Sequence, residues 1–260
     1  MPITVIREKR KEQIVDFIRK CGIVSIKELA ESLNLSAATI RKDVRELEEN
    51  GLVSRHWGGV SLKEGQVKEL SFDEKTIINL AEKKAIAQGA ITLVAQNDTI
   101  GISAGTTAYE FARLLDQYPN VQVVTYGLNI AYLIARMGGK VVVPGGFLRD
   151  NSYALVGEDT VSFFKKIFLD KCFMGVDGLD MEAGLTDVNM AEAEVNRAMI
   201  ESSGQLIIIA DHTKLGQRKL VPIAPIDRVD VLITDSLADK GILKILEDKG
   251  IEVLIGEVGD

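Results

Sequence analysis

Several short stretches of this 260-residue chain carry residue types that could grip an anion or a polyol. In "ISAGTTAYEF" (102–111), an apolar run meets Ser103, Gly105, Thr106 and Thr107 just before an amphipathic helix. Glycine permits a tight turn, and the free N–H groups of a helix start, two Thr hydroxyls and the helix dipole all favour an anion. In "ADHTKLG" (210–216), Asp211, His212 and Lys214 leave one apolar run together, and a lysine beside an anion site is a natural counter-charge. In "GVDGLD" (175–180), Asp177 offers a carboxylate to hydroxyl groups. Tyr126 and the Gly145-Gly146 pair follow two further apolar runs, and Glu192 lies beside the apolar face of a helix, where a carboxylate needs a partner. Singly, each has an ordinary explanation: Thr caps helices, Asp-Gly and Gly-Gly make turns, and a loop lysine or Glu194 is solvated. As a set, they describe a pocket for a small, phosphorylated, hydroxyl-rich molecule.

Such a set needs a scaffold that brings distant loops together. Strands are predicted at 99–103, 121–125, 140–144, 171–175, 205–210, 229–234 and 252–255. Helices are predicted at 74–95, 106–116, 128–137, 158–167, 189–202 and 237–248. This alternation predicts an α/β domain with a mostly parallel sheet covered on both faces. Ligands in such sheets sit beyond the carboxyl ends of the strands, where all the residues above fall.

The first 62 residues have a different character. Residues 1–63 hold 12 Lys+Arg and 9 Asp+Glu, net +3, while the whole chain is −7, so the remainder carries −10. A basic head on an acidic body suggests a DNA-facing module. Three helices are predicted, at 7–21, 25–33 and 36–50, the last two N-capped by Ser25 and Ser36 and the last stopped at Asn50-Gly51. In the third, Ile40, Val44 and Leu47 share one face; at about 100° per residue, Ala38, Lys42 and Arg45 lie opposite, flanked by Arg41. Positive charge early in the helix and small residues at 37 and 38 suit the entry of a recognition helix into a major groove. The candidate DNA contacts are Ser36, Ala37, Ala38, Thr39, Arg41, Lys42 and Arg45, with Arg55 and His56 on a Gly58-Gly59 hairpin that forms a wing. Residues 63–73 are polar and aperiodic and suit a linker, leaving 74–260 as the larger domain.

Composition narrows the rest. With 46% hydrophobic residues the chain can bury a core. Met1-Pro2-Ile3 leads straight into a charged run, so no leader is expected, and no apolar run nears the roughly 18 residues of a membrane span. Cys21 and Cys172 are far apart and suit buried, reduced thiols of a cytoplasmic protein. With two His and two Cys in all, a structural zinc site is not expected, and no cofactor is called for.

The stretch "VSIKELAESLNLSAATIRKDVRELEENGLVSRHWGG" (24–59) resembles the DeoR-type bacterial transcription regulators, and "GLTDVNMAEAEVNRAMI" with "ADHTKLG" is similar to that family's sensor domain, over about residues 75–235. The resemblance implies a winged helix-turn-helix joined to a sensor of the ribose-5-phosphate isomerase-like fold. It also implies a homodimer or homotetramer that binds a double-stranded operator and responds to a phosphorylated sugar. Gly105, Thr106 and Thr107 match the family's Asp-x-Gly-Thr-Thr phosphate loop, with Ser103 in place of its Asp. Its Thr-Asn is Thr125-Tyr126 here, its Lys-Arg is Asn196-Arg197, and the Phe after Lys214 is Leu215. The expected function is repression of a sugar or sugar-alcohol operon. The alternative is an isomerase-like enzyme with an accessory DNA-binding head, using Asp177, Glu192 and Lys214 as acid–base groups; the fused head and the loss of a loop carboxylate at Ser103 weigh against it.

Overall fold

The computed structural model describes residues 10–11, 13–15, 17–18, 24–50, 52–56, 59–62 and 69–257. The chain divides into two compact units at the Glu69–Leu70 bond.

In the N-terminal unit, the described residues within 10–18 are helical (α1). They are followed by α2 (Ile26–Ser32), α3 (Ala37–Glu49) and the antiparallel pair β1 (Val53–His56) and β2 (Gly59–Leu62). Ser25 and Glu28 form a reciprocal capping box on α2, and the Ser36 hydroxyl accepts from the Thr39 N–H at 3.1 Å on α3. The core draws on every element: Ile14, Ile18, Leu29, Ile40, Val44, Leu47, Val53 and Val60 are all buried. Val24 pairs with Val60, so the chain entering α2 lies against the hairpin.

The C-terminal unit begins with α4 (Phe72–Ile77), which starts inside the segment predicted as linker because Ser71 and Glu74 form a second capping box. The single helix predicted at 74–95 is two helices. Asn79 adopts a left-handed φ of 51°, one of the few non-glycine residues that tolerates it, and α5 (Leu80–Ile91) starts afresh. There follow β3 (Thr99–Ile102), α6 (Thr106–Ala112), β4 (Gln122–Thr125), α7 (Leu128–Arg136) and β5 (Lys140–Val142). After them come β6 (Phe147–Arg149), β7 (Ala154–Val156), α8 (Glu158–Phe164), β8 (Leu169–Met174), β9 (Gly178–Asp180) and β10 (Gly184–Asp187). The chain finishes with α9 (Met190–Glu201), β11 (Ser203–Ile209), β12 (Val221–Ala224), β13 (Val231–Asp235), α10 (Lys240–Asp248) and β14 (Glu252–Gly256).

All seven predicted strands enter one sheet, ordered β14-β13-β11-β8-β3-β4-β5, and every neighbouring pair is parallel. The run Leu206–Ile209 is buried throughout, as a strand covered on both faces must be. One face packs Ile86, Phe111, Ile130 and Ile134 of α5, α6 and α7. The other packs Phe164, Val195, Met199 and Leu246 of α8, α9 and α10. Two small antiparallel sheets, β6-β7 and β12-β10-β9, were not predicted. Their strands are three or four residues long, too short for alternation to register. Among the described residues, no helix is long and apolar enough to cross a membrane.

Candidate functional site

The strand order sets where a ligand crevice falls. From β3 the chain moves outward to β4 and β5, then returns to the other side of β3 with β8. The topological switch point lies between β3 and β8, where the loops leave in opposite directions and open a crevice. Ser103 and Asp177 follow these two strands. The fully buried Ser103 hydroxyl accepts from the Gly175 N–H at 2.9 Å and lies 3.3 Å from the Ala104 carbonyl it donates to. It therefore fastens the two strand ends together. At Gly105, φ is +131°, and a side chain there would meet no atom within 4 Å; backbone conformation, not space, calls for glycine. Thr106 and Thr107, in the first turn of α6, are buried.

The loop after β11 lies beside that of β8. Asp211 caps the short turn 212–214, accepting from the Thr213 N–H at 3.0 Å, and Lys214 is half-buried at its end. Asn79 donates to the Asp211 carboxylate at 3.3 Å. The His212 ring meets Asp235 at 3.0 Å, so His212 is turned to a buried carboxylate.

A second lysine belongs to this neighbourhood. Lys83 on α5 is buried and donates through Nζ to the carbonyls of Lys75 and, at 2.6 Å, Ile78. Burial pushes its pKa down to about 8; Asp211 pulls it up and Lys214 pushes it down further. Lys83 thus holds the end of α4, while Lys75 on α4 reaches Asp177 at 3.8 Å. The Phe72 ring lies edge-on to Tyr109 of α6 at 5.6 Å and beside Tyr153 at 5.5 Å, and its N–H donates to the Asn151 carbonyl at 2.7 Å. Helix α4 is therefore seated on the loops that line the crevice.

The acidic residues are distributed differently. Glu192 is paired with Arg149 and accepts from the Ser152 hydroxyl at 2.6 Å. Asp187 is buried near Asp177, accepts from Asn196 Nδ2 at 3.1 Å, and is raised to about 7, chiefly by burial and then by Asp177. Asn196 accepts in turn from the Tyr126 hydroxyl at 2.6 Å. Tyr126 is 1% exposed, packs edge-on to Phe164 and has its phenol pKa well above the usual value through burial. Its ring is part of the core, not of an open wall. Gly145 and Gly146 belong to a turn packed on α8: the Thr160 hydroxyl donates to Gly145 O at 2.7 Å, and a side chain at Gly146 would run into Thr160 and the Val156 carbonyl.

Ser103, Gly105, Thr106 and Thr107 thus follow β3, Asp177 follows its neighbour β8, and Lys214 follows the next strand, β11, with Lys83 and Asp211 near Lys214. Lys83 was not singled out from sequence, although a signal existed: it shares a stripe with Ile86, Ala87 and Ala90 at i, i+3, i+4 and i+7. Asp43 was missed in the same way, on the stripe of Ile40, Val44 and Leu47. It is fully buried, and Arg10 closes on it with two bonds, at 2.6 and 3.0 Å. The hydrogen bonds that Arg10 donates to Asp43 in turn raise the Arg10 pKa.

On the outer side of α3, Ala38, Arg41, Lys42 and Arg45 are exposed together, opposite buried Ile40, Val44 and Leu47. The Ser36 and Thr39 hydroxyls, 2.8 Å apart, are engaged in the cap, and Ala37 is half-buried. Arg55 is held at the far end of the helix, its Nε 2.7 Å from Glu48. The His56 side chain and residues 57–58, where the sequence predicts the hairpin turn, lie outside the described residues.

Residues 10–66 match the family model of the DeoR-like helix-turn-helix domain, and residues 78–236 that of the DeoR C terminal sensor domain. The chain is 34% identical over 250 residues to the HTH-type transcriptional regulator GolR of Listeria innocua, covering 96% of this chain and 98% of that protein. It is 31% identical over 246 residues to the glycerol-3-phosphate regulon repressor of Escherichia coli K12, covering 94% and 97%. These relatives are named regulators, not enzymes. Among solved structures, ribose 5-phosphate isomerase A of Methanocaldococcus jannaschii aligns with 53% of this chain and 55% of its own, at 17% identity and a TM-score of 0.41.

Proposed function

The chain belongs to the DeoR family of transcription regulators, and from that premise we propose that it represses a sugar or sugar-alcohol operon under control of a phosphorylated metabolite bound at the switch-point crevice. What supports this reading is that Gly105, Thr106 and Thr107 follow β3, Asp177 follows β8 and Lys214 follows β11, three neighbouring strands of one parallel sheet. The glycine turn, the two hydroxyls and the ammonium are fitted to a phosphate, and Asp177 is fitted to accept from a hydroxyl. The name of the E. coli relative, a glycerol-3-phosphate regulon repressor, points to the same ligand chemistry.

In the head, Arg41, Lys42 and Arg45 supply phosphate and base-edge contacts from the exposed side of α3. A homodimer or homotetramer, working in the cytoplasm, presents two such helices to one operator. Helix α4, the first element after the linker, carries the signal. Its contacts with Tyr109, Asp177 and, through Lys83, the Lys214 neighbourhood let a bound anion favour one placement of the linker over another.

The test uses the full-length protein and duplex DNA selected from a random pool, followed by a screen of sugar and polyol phosphates for release of that DNA. Lys214→Ala is expected to abolish the response and leave DNA affinity unchanged; Arg41→Ala is expected to do the reverse. The reading fails if no phosphorylated compound binds folded protein, or if Lys214→Ala abolishes DNA binding with ligand affinity unchanged.

A further inference from the structure

At the start of α7, one side chain has both polar atoms sealed from solvent and no hydrogen-bond partner: Asn129, through Oδ1 and Nδ2. Among the described residues, the only other such atom is the hydroxyl of Thr234, which can turn and has a single proton to place. An amide cannot adjust in that way. It needs a donor for its oxygen and acceptors for its nitrogen, and a buried amide lacking both is costly and rare in a native fold.

Its place in the fold relates the unpartnered amide to the crevice. Strands β3 and β4 are parallel neighbours with Ile102 opposite Thr125, so the turns that follow them emerge side by side. Those turns are Ser103–Thr107 and Tyr126–Asn129. A methyl group placed on Gly127 would stand 3.4 Å from Asn129 Oδ1 and 3.4 Å from the Ala104 Cα. Asn129 Oδ1 and Ala104, the residue before the Gly105-Thr106-Thr107 stretch, therefore border the same small space beside Gly127. The helix geometry agrees: side chains lean toward the N-terminus of their helix, which here is the carboxyl end of the sheet.

We propose that Asn129 is a specificity-determining residue that binds a hydroxyl of the effector. The chemistry of the orphaned atoms selects the group. A phosphate dianion only accepts and would leave Oδ1 unpaired; an ammonium only donates and would leave Nδ2 unpaired. A hydroxyl does both. Asn129 therefore belongs to the polyol part of the ligand, while the Thr106, Thr107 and Lys214 side of the crevice takes its phosphate. This assignment rests on the phosphorylated-polyol reading above and divides that ligand into two halves. It also supplies a hydroxyl contact on the first-strand side of the crevice, where Ser103 contributes no carboxylate.

The experiment compares wild type with Asn129→Leu, which keeps the volume and removes the amide, and with Asn129→Ala. Full-length protein is titrated with inorganic phosphate, with glycerol 3-phosphate and with a series of longer sugar and polyol phosphates. Ligand-free melting of the α/β unit is recorded alongside. The expected result is a loss of about tenfold or more in affinity for the best hydroxyl-bearing phosphate, no change for inorganic phosphate, and a ligand-free Asn129→Leu protein that melts no lower than wild type. Equal losses for phosphate and for the polyol phosphate would overturn the assignment. Unchanged affinities with a lower melting temperature in both variants would do so too, since the amide would then serve only to hold an ordered water. If wild type binds no phosphorylated compound at all, the functional reading itself falls; if it binds but neither variant alters the preference, only the role of Asn129 falls.

Discussion

The hydroxyl of Ser103 accepts a hydrogen bond from the N–H of Gly175 at 2.9 Å, joining the ends of β3 and β8 across the switch point. Ser103 is fully buried and Gly175 partly so, and the bond ties the two strand ends together. A carboxylate at this position would have another option open to it: reaching a ligand. Here the side chain is committed to the scaffold.

Replacing Ser103 with Ala leaves the Gly175 N–H without its acceptor. The expected cost is about 1–3 kcal/mol of stability in the α/β unit, read by chemical denaturation. A change below a few tenths of a kcal/mol would mean that the strand ends are held by other contacts.

Lys83 connects the end of α4 to the charges around Lys214. Its folded pKa is about 8 against 10.5 for the free side chain, so between those values the unfolded chain binds more protons than the folded one. The contribution of this group therefore makes stability rise as pH increases from about 8 to 10.5. Lys83→Met should flatten that part of the profile relative to wild type. The same variant should keep ligand affinity within a few-fold yet lose most of the ligand's effect on DNA binding, measured by anisotropy with and without the compound found in the screen. An intact DNA response in Lys83→Met would remove α4 from the coupling scheme.

Asp187 has the opposite sign. Buried beside Asp177 and near Glu192, it ionises near 7 in the fold and near 3.8 in the open chain. The folded state holds the proton more tightly, so this group's stabilisation is present below about 3.8 and is lost as pH rises to about 7. Asp187→Asn should abolish that component. Melting curves of the two proteins between pH 4 and 8 should converge at the acid end and separate toward neutrality, with the variant the more stable there. Parallel curves would contradict the assignment.

In the head, Asp43→Ala removes the acceptor of a two-bond contact and strands Arg10 against the core. The expected loss is about 3 kcal/mol, near the low end for a broken buried pair because Arg10 retains some access to water. Limited proteolysis and circular dichroism would show an unfolded head beside an intact α/β unit. Arg45→Ala, on the exposed side of the same helix, should leave the fold unchanged and lower the salt dependence of DNA binding by about one ion.

Several features of this protein were legible in the sequence itself. The five inner strands of the large sheet are legible because a strand buried on both faces has no choice but to be apolar along most of its length, while the partly exposed edge strands β5 and β14 are marked by short Val-Val and Val-Leu-Ile runs. The caps Ser25 and Ser36 and the division of α3 into a buried and a basic side are local, set by a helical period the chain carries whatever surrounds it. Tertiary structure alone decided the rest. Only the strand order places the end of β3 beside the ends of β8 and β4, and so Ala104 and Asn129 around one Gly127. Only packing turns Tyr126 into the core, pairs Glu192 with Arg149, and buries Lys83 and Asp43 on stripes where a charge needs a partner from another element. Periodicity says which face of an element is inward; which groups meet there depends on elements tens of residues away in the chain.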